Sequence, residues 1–174
     1  MFEGWGDFYL LAGSAAAVLI GLIFVVVTLM QDRPRSTVLN GSKLYMGPVV
    51  LHVTFVLVLS ATALIPGVSS TEFAMISGAV SIWGVARGLI STTGIQRLTG
   101  PDKAHWTDMW FYGVIPTALF VVLGVVTFAA WRDLPWAAQG VAAVITGALL
   151  LCIRNEWDLV TWLTPRPDSP ADSR

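Results

Sequence analysis

Between Asp7 and Asp32 the chain carries no charged side chain, and the same holds between Lys43 and Glu72, between Asp108 and Arg132, and between Asp133 and Arg154. An apolar run of about twenty residues is long enough for a helix to cross the hydrocarbon of a bilayer. In that setting each backbone N–H and C=O must be satisfied within its own segment, so runs of this kind fold as helices. Composition agrees: 55% of the residues are hydrophobic and 12% charged, with a mean hydropathy of +0.72. The expected fold is therefore all-α, a polytopic transmembrane bundle, with the lipid bilayer as its first partner.

Five spans are expected, at about 8–30, 46–65, 73–93, 106–131 and 134–157, within a single domain over 1–163. Local chemistry divides them. Pro48 suits the first turn of the second span and Pro66-Gly67 ends it, Ser69-x-x-Glu72 is a capping-box pattern opening the third, and Arg132-Asp133 makes a tight turn into the fifth. Pro116, in mid-span, is a candidate kink. The tail over 164–174, TPRPDSPADSR, is proline-rich and polar and is expected to be a disordered cytoplasmic segment. The opening of the first span, GSAAAVLIGLIFVVVTL, resembles that of many small bacterial inner-membrane proteins, which implies that location.

Lysine and arginine set the expected orientation. With the N-terminus outside, Arg33, Arg35, Lys43, Arg97, Lys103, Arg166 and Arg174 all fall on the cytoplasmic side and Arg132 alone lies outside. Removing the third span, which contains Arg87, would destroy that asymmetry, so five spans are preferred to four.

The membrane-embedded polar residues gather at one depth. Arg87 lies about six residues, or roughly 9 Å, from the cytoplasmic end of its span. His52 reaches a similar level, Asp108 is shallower, and Arg154, Asn155, Glu156 and Asp158 close the fifth span on the same side. Ionisable groups inside a span usually face protein or water and mark ion paths. Against this stands snorkelling, in which Arg87 and Arg154 extend to lipid phosphates. Helix phase favours protein: on the third span Ser77, Ser81, Gly84, Gly88 and Ser91 form a small-residue stripe beside Arg87. On the fifth, Gly140, Gly147, Arg154 and Asp158 share a face. Glu156 belongs to the same polar layer but points about 200° away from Arg154, a direction from which headgroups are also within reach. Asp108, or else Asp158, is the expected partner of Arg87. Gly13, Ala17 and Gly21 give the first span a third close-packing face. That many contact faces exceed the needs of one small bundle, which suggests a homo-oligomer.

Other chemistry is missing. A formal net charge of -1 without a basic patch argues against nucleic acid. There is no H-E-x-x-H, G-x-S-x-G or Walker loop, and no His or Cys cluster at metal spacing, so neither an enzyme nor a metal or cofactor site is expected. Bis-histidine haem fails because His105 lies in the loop before the fourth span while His52 is embedded. Cys152, the single cysteine, sits within an apolar run and reads as a small buried hydrophobe.

Three functions fit these features. The first, and the expected one, is a transport or channel-type protein whose charged layer lines a cytoplasmic vestibule or ion path. Another is a non-transporting accessory or regulatory subunit whose polar network fixes helix register. The third is a lipid-headgroup enzyme holding phosphate on Arg87 and Arg154, with His52 or a carboxylate as base, and no nucleophile spacing supports it.

Overall fold

The computed structural model describes residues 2–29, 47–96 and 106–163, and among these there is no strand. The helices are α1 (Gly6–Leu29), α2 (Gly47–Ala63), α3 (Ser70–Gln96), α4 (Trp106–Met109), a π-helical segment (Trp110–Val114), α5 (Ile115–Trp131) and α6 (Ala137–Leu163). Met109, Val114 and Ile115 all have right-handed helical dihedrals, so α4, the π segment and α5 form one continuous rod. Four stretches are long and apolar enough to cross a membrane: Gly6–Thr28, Ser70–Gly94, Trp110–Trp131 and Ala137–Thr161. The shorter apolar helix α2 has 17 residues, a length of about 26 Å against roughly 30 Å of hydrocarbon.

Boundaries follow local chemistry. The capping box forms: Ser69 N–H donates to Glu72 Oε2 at 2.9 Å, and Glu72 N–H donates to Ser69 Oγ at 3.2 Å. This starts α3 earlier than hydropathy alone suggests, because the polar residues of its first turn are helical while lying outside the apolar run. Gly67, at φ +75°, takes the left-handed conformation needed to turn α2 into α3. At the other hairpin Asp133 has φ 50°, and Leu134 N–H donates to Ala129 O at 3.0 Å. That turn absorbs Leu134, Pro135 and Trp136, so α6 begins at Ala137 and not at 134.

Each long helix packs on its neighbours in sequence, and α6 closes the set by packing on α1 and α2 as well as on α5. The interior is apolar. Val53 and Val56 of α2, Leu123 of α5, and Val141 and Ile145 of α6 are all at most 2% exposed. Outward faces are apolar too: Leu11, Phe24, Ile82 and Leu150 each exceed 60% exposure. A bundle apolar on both its inner and outer faces has lipid as its solvent.

The tightest seam joins α3 to the π segment and α5. Ser77, Ser81, Gly84 and Gly88 lie along it. A Cβ on Gly84 would fall 2.2 Å from Phe120 Cδ1, and one on Gly88 would fall 2.2 Å from Thr117 Oγ1. Across the seam Ser81 Oγ donates to Phe120 O at 2.8 Å and Thr127 Oγ1 donates to Ser77 Oγ at 3.0 Å. Small residues let the backbones approach, and the hydroxyls then bridge them, each worth about 0.6 kcal/mol in membranes. Gly140 faces Val126 and Gly147 faces Leu119, both on α5. On α1 the buried positions are Tyr9, Ala12, Ala16, Leu19, Ile23 and Val26. Gly13 borders this face, with its Cβ position 3.4 Å from Ser60, while Ala17 and Gly21 look outward. The alanine run left the phase of α1 ambiguous; the larger side chains on either side settle it on Ala16.

Because Phe120 is also held by Phe55 at 5.1 Å and His52 at 4.7 Å between ring centroids, its ring has nowhere to retreat. Gly84→Ala is therefore expected to lower stability in detergent by about 1–3 kcal/mol. Gly147→Ala meets only the end of Leu119, at 3.2 Å, and should stay within about 1 kcal/mol of the parent. Paired melting curves decide; a parent-like Gly84→Ala would mean the seam is not close-packed.

Candidate functional site

The polar residues of the spans collect where α2 starts and α6 ends, and a backbone irregularity organises them. Pro116 has no N–H, so neither the carbonyl at i−4, Tyr112, nor that at i−5, Phe111, can receive a bond from it. The preceding turn widens to π geometry, with Ile115 N–H bonded to Trp110 O. Both carbonyls are then taken by side chains from other helices. Asn155 Nδ2 of α6 donates to Phe111 O at 3.2 Å, and Ser91 Oγ of α3 donates to Tyr112 O at 3.3 Å. A buried carbonyl left unmet costs about 1–3 kcal/mol, which gives these contacts their importance.

Around that junction a network forms on α6. Arg154 Nη1 donates to Asn155 Oδ1 at 3.1 Å and lies 4.0 Å from Asp158 Oδ2, and its Cζ stands 3.4 Å above the Phe111 ring. Tyr112 Oη lies 3.3 Å from both Asn155 O and Asp158 Oδ2, donating to each in turn. Asn155 is buried, whereas the side chains of Arg154 and Asp158 are 38% and 49% exposed. The cluster is thus a shelf at the edge of the bundle, with a guanidinium stacked on an aromatic face and a carboxylate held beside it.

The other candidates lie elsewhere. His52 is 5% exposed, packed on Phe120, with Nδ1 against Pro48 O at 2.5 Å. Its Nε2 is buried without a hydrogen bond of good geometry. It stands at one end of an apolar cavity of about 20 Å³ lined also by Val56, Leu119, Leu123, Val144 and Ile145. Glu156 is buried: it is 5% exposed, and its Oε1 has no partner. The reason is that α6 packs on α1 and α2 as well as on α5, and Val141, Ile145 and Cys152 on the Glu156 face are buried with it. The face turned away from Arg154 therefore meets protein, not headgroups.

Arg87 stands off the packed face. The seam with α5 takes Gly84, Gly88 and Ser91, and Arg87 sits about 80° around the helix from its centre, exposed. Among the described residues it makes no ion pair, and Asp158, one of its two expected partners, is engaged by Arg154 and Tyr112. Asp108 belongs to α4, but its side chain, like His105, the basic loop residues and the tail over 164–174, lies outside the described residues. Among the described residues no group of three or more His, Cys, Asp or Glu side chains is arranged to hold a metal ion. Tyr112 is the member of the network that sequence reasoning missed. Pro116, whose freed carbonyls call for donors on neighbouring helices, signals Asn155 and Ser91 but not the Tyr112 hydroxyl.

Asn155→Leu is expected to lower stability by about 1–3 kcal/mol, since Phe111 O then loses its donor. In double-mutant cycles Tyr112→Phe and Asp158→Asn should couple by more than about 0.5 kcal/mol, whereas Arg87→Met and Asp158→Asn should add within that margin. Coupling in the second cycle alone would overturn the arrangement described.

No family model matches this chain, and neither a curated protein nor a solved structure matches it.

Proposed function

We propose that this is a five-span protein of the bacterial inner membrane, with its N-terminus outside, acting as a non-transporting accessory or regulatory subunit. The observation that carries this reading is the filled bundle interior. Val53, Val56, Leu123, Val141 and Ile145 close the space between α2, α5 and α6, and the small cavity there is apolar. A conducting path needs polar lining or a water-filled passage, and neither runs along this interior. In this reading the network of Tyr112, Arg154, Asn155 and Asp158 fixes helix register and presents a charged shelf to a partner at the cytoplasmic surface. The orientation rests on the lysine and arginine distribution, and the crossing of α2 on its apolar length of about 26 Å.

A transport or channel-type role is the second reading, favoured by His52 and Glu156, whose buried Nε2 and Oε1 lack partners in the half that holds the charged layer. Since one bundle is filled, a path would then run between protomers of a homo-oligomer. A lipid-headgroup enzyme is not favoured: His52 is turned into the core, away from both arginines.

Flux through proteoliposomes separates the first two. The accessory reading expects proton, potassium and chloride flux equal to that of empty vesicles. Flux well above that background, altered by Glu156→Gln, would replace it with the transport reading. Topology is tested separately with single cysteines at Ser36 and Ser69 in a Cys152→Ala background. They should label from opposite sides of the membrane, and labelling from the same side would remove the five-span arrangement.

A further inference from the structure

Arg87 stands apart from the other guanidinium of the spans. Arg154 is stacked on Phe111, bonded to Asn155 and placed beside Asp158, so the chain itself supplies its counter-charge and its platform. Arg87 has none of these among the described residues, and it is exposed on a helix whose outward face is otherwise apolar. Trp83 and Ile90, about one turn to either side of it, are each more than half exposed. Seven residues separate it from Gly94, where the apolar stretch of α3 ends, a depth of about 10 Å. A cation at this depth costs free energy unless an anion meets it.

Its position around α3 narrows the choice of anion. Trp83, one turn away on the same side, is in edge contact with Phe55 of α2 at 5.9 Å between ring centroids. On the other side the next residue, Gly88, is pressed against Thr117 of α5. Arg87 therefore flanks the side of α3 turned toward α2, with an aromatic surface below it toward the bilayer centre and the membrane surface above it. An arginine stem laid along the helix carries its planar fork toward the level of lipid phosphates, where two N–H groups can bind one phosphate bidentately. The exposed ring of Trp83, backed by the buried ring of Phe55, then offers apolar surface to the acyl chains of the same lipid.

We propose that Arg87, with the exposed Trp83 that Phe55 backs, forms a binding site for the phosphate of an anionic phospholipid on the α2 side of α3. The site depends on α3 spanning the bilayer and is independent of whether the protein is an accessory subunit or a transporter. It holds one lipid against the helix pair and so ties the least enclosed cation of the bundle to the leaflet.

Native mass spectrometry of the full chain, delipidated and titrated with phosphatidylglycerol or phosphatidylcholine, tests this directly. The parent should bind its first phosphatidylglycerol about fivefold more tightly than Arg87→Met does, the factor expected for one basic residue at an anionic surface. Phosphatidylcholine should show little difference between the two, and Arg87→Lys should retain only part of the preference, since it keeps the charge and loses the bidentate contact. Because Arg87 is exposed, Arg87→Met should melt like the parent when no lipid is added, which separates lost binding from lost folding. Equal phosphatidylglycerol affinity in parent and Arg87→Met overturns the site. So does a fall in oligomer mass in Arg87→Met without any lipid preference, since a second copy would then be what covers Arg87. Failure of the cysteine labelling test would instead remove the membrane arrangement itself, a distinguishable result.

Discussion

The ring of Phe120 occupies the space that a side chain on Gly84 would need, and much of the bundle is keyed to that fit. From α5 the ring reaches the backbone of α3 at Gly84 and the rings of Phe55 and His52 on α2. One side chain thus sets the spacing of three helices. The surrounding hydroxyls do the finer alignment: Ser81 bonds the carbonyl of Phe120 itself, while Ser77 meets Thr127 two turns further along α5. In lipid, apolar surface gives little reason for helices to associate, so close backbone approach and these bridges are what hold α3 against α5.

Pro116 lies one turn from Phe120 and produces the opposite condition, a gap in the backbone ladder. The seam aligns α3 well enough for Ser91 to cover Tyr112 O, and the packing of α5 on α6 brings Asn155 to Phe111 O. Arg154, Tyr112 and Asp158 assemble around Asn155, so the charged shelf follows from an unmet carbonyl. A π turn next to a proline leaves acceptors that only other elements can satisfy, which couples the helix phases of α3, α5 and α6 at that level.

How much of this was legible in the sequence depended on whether one helix or several decided the outcome. The long apolar runs mark the four long helices, and the Ser69/Glu72 cap is a local pattern with a local structure. Steps of three and four place Ser77, Ser81, Gly84 and Gly88 on one face without reference to any neighbour. Glu156 could not be read this way, since its burial requires knowing that α6 packs on α1 and α2 as well as on α5. The exposure of Arg87 turns on a related point, that adjacency to a packed stripe is not membership of it: about 80° of rotation takes it off the seam. In α1, apolar all round, periodicity could not separate Ala16 from Ala17. Tyr112 could not be read from its own helix, because its hydroxyl meets Asn155 O and Asp158 Oδ2 on α6.

The distribution of polarity that results bears on function more directly than any single residue. A protein that moves solutes through its own bundle keeps polar groups facing one another across a passage. Here Val56, Leu123 and Ile145 fill that position, and the charged groups are displaced to the edge, with Arg154 and Asp158 on the shelf and Arg87 on the outer face of α3. His52 and Glu156 are each buried, and His52 Nε2 and Glu156 Oε1 have no hydrogen-bond partner among the described residues. A bundle closed inside and charged at its rim has its chemistry available to what surrounds it, lipid or a neighbouring protein. That distribution is the physical basis of the proposal that the protein acts through the outer surface of these helices and not along their shared axis.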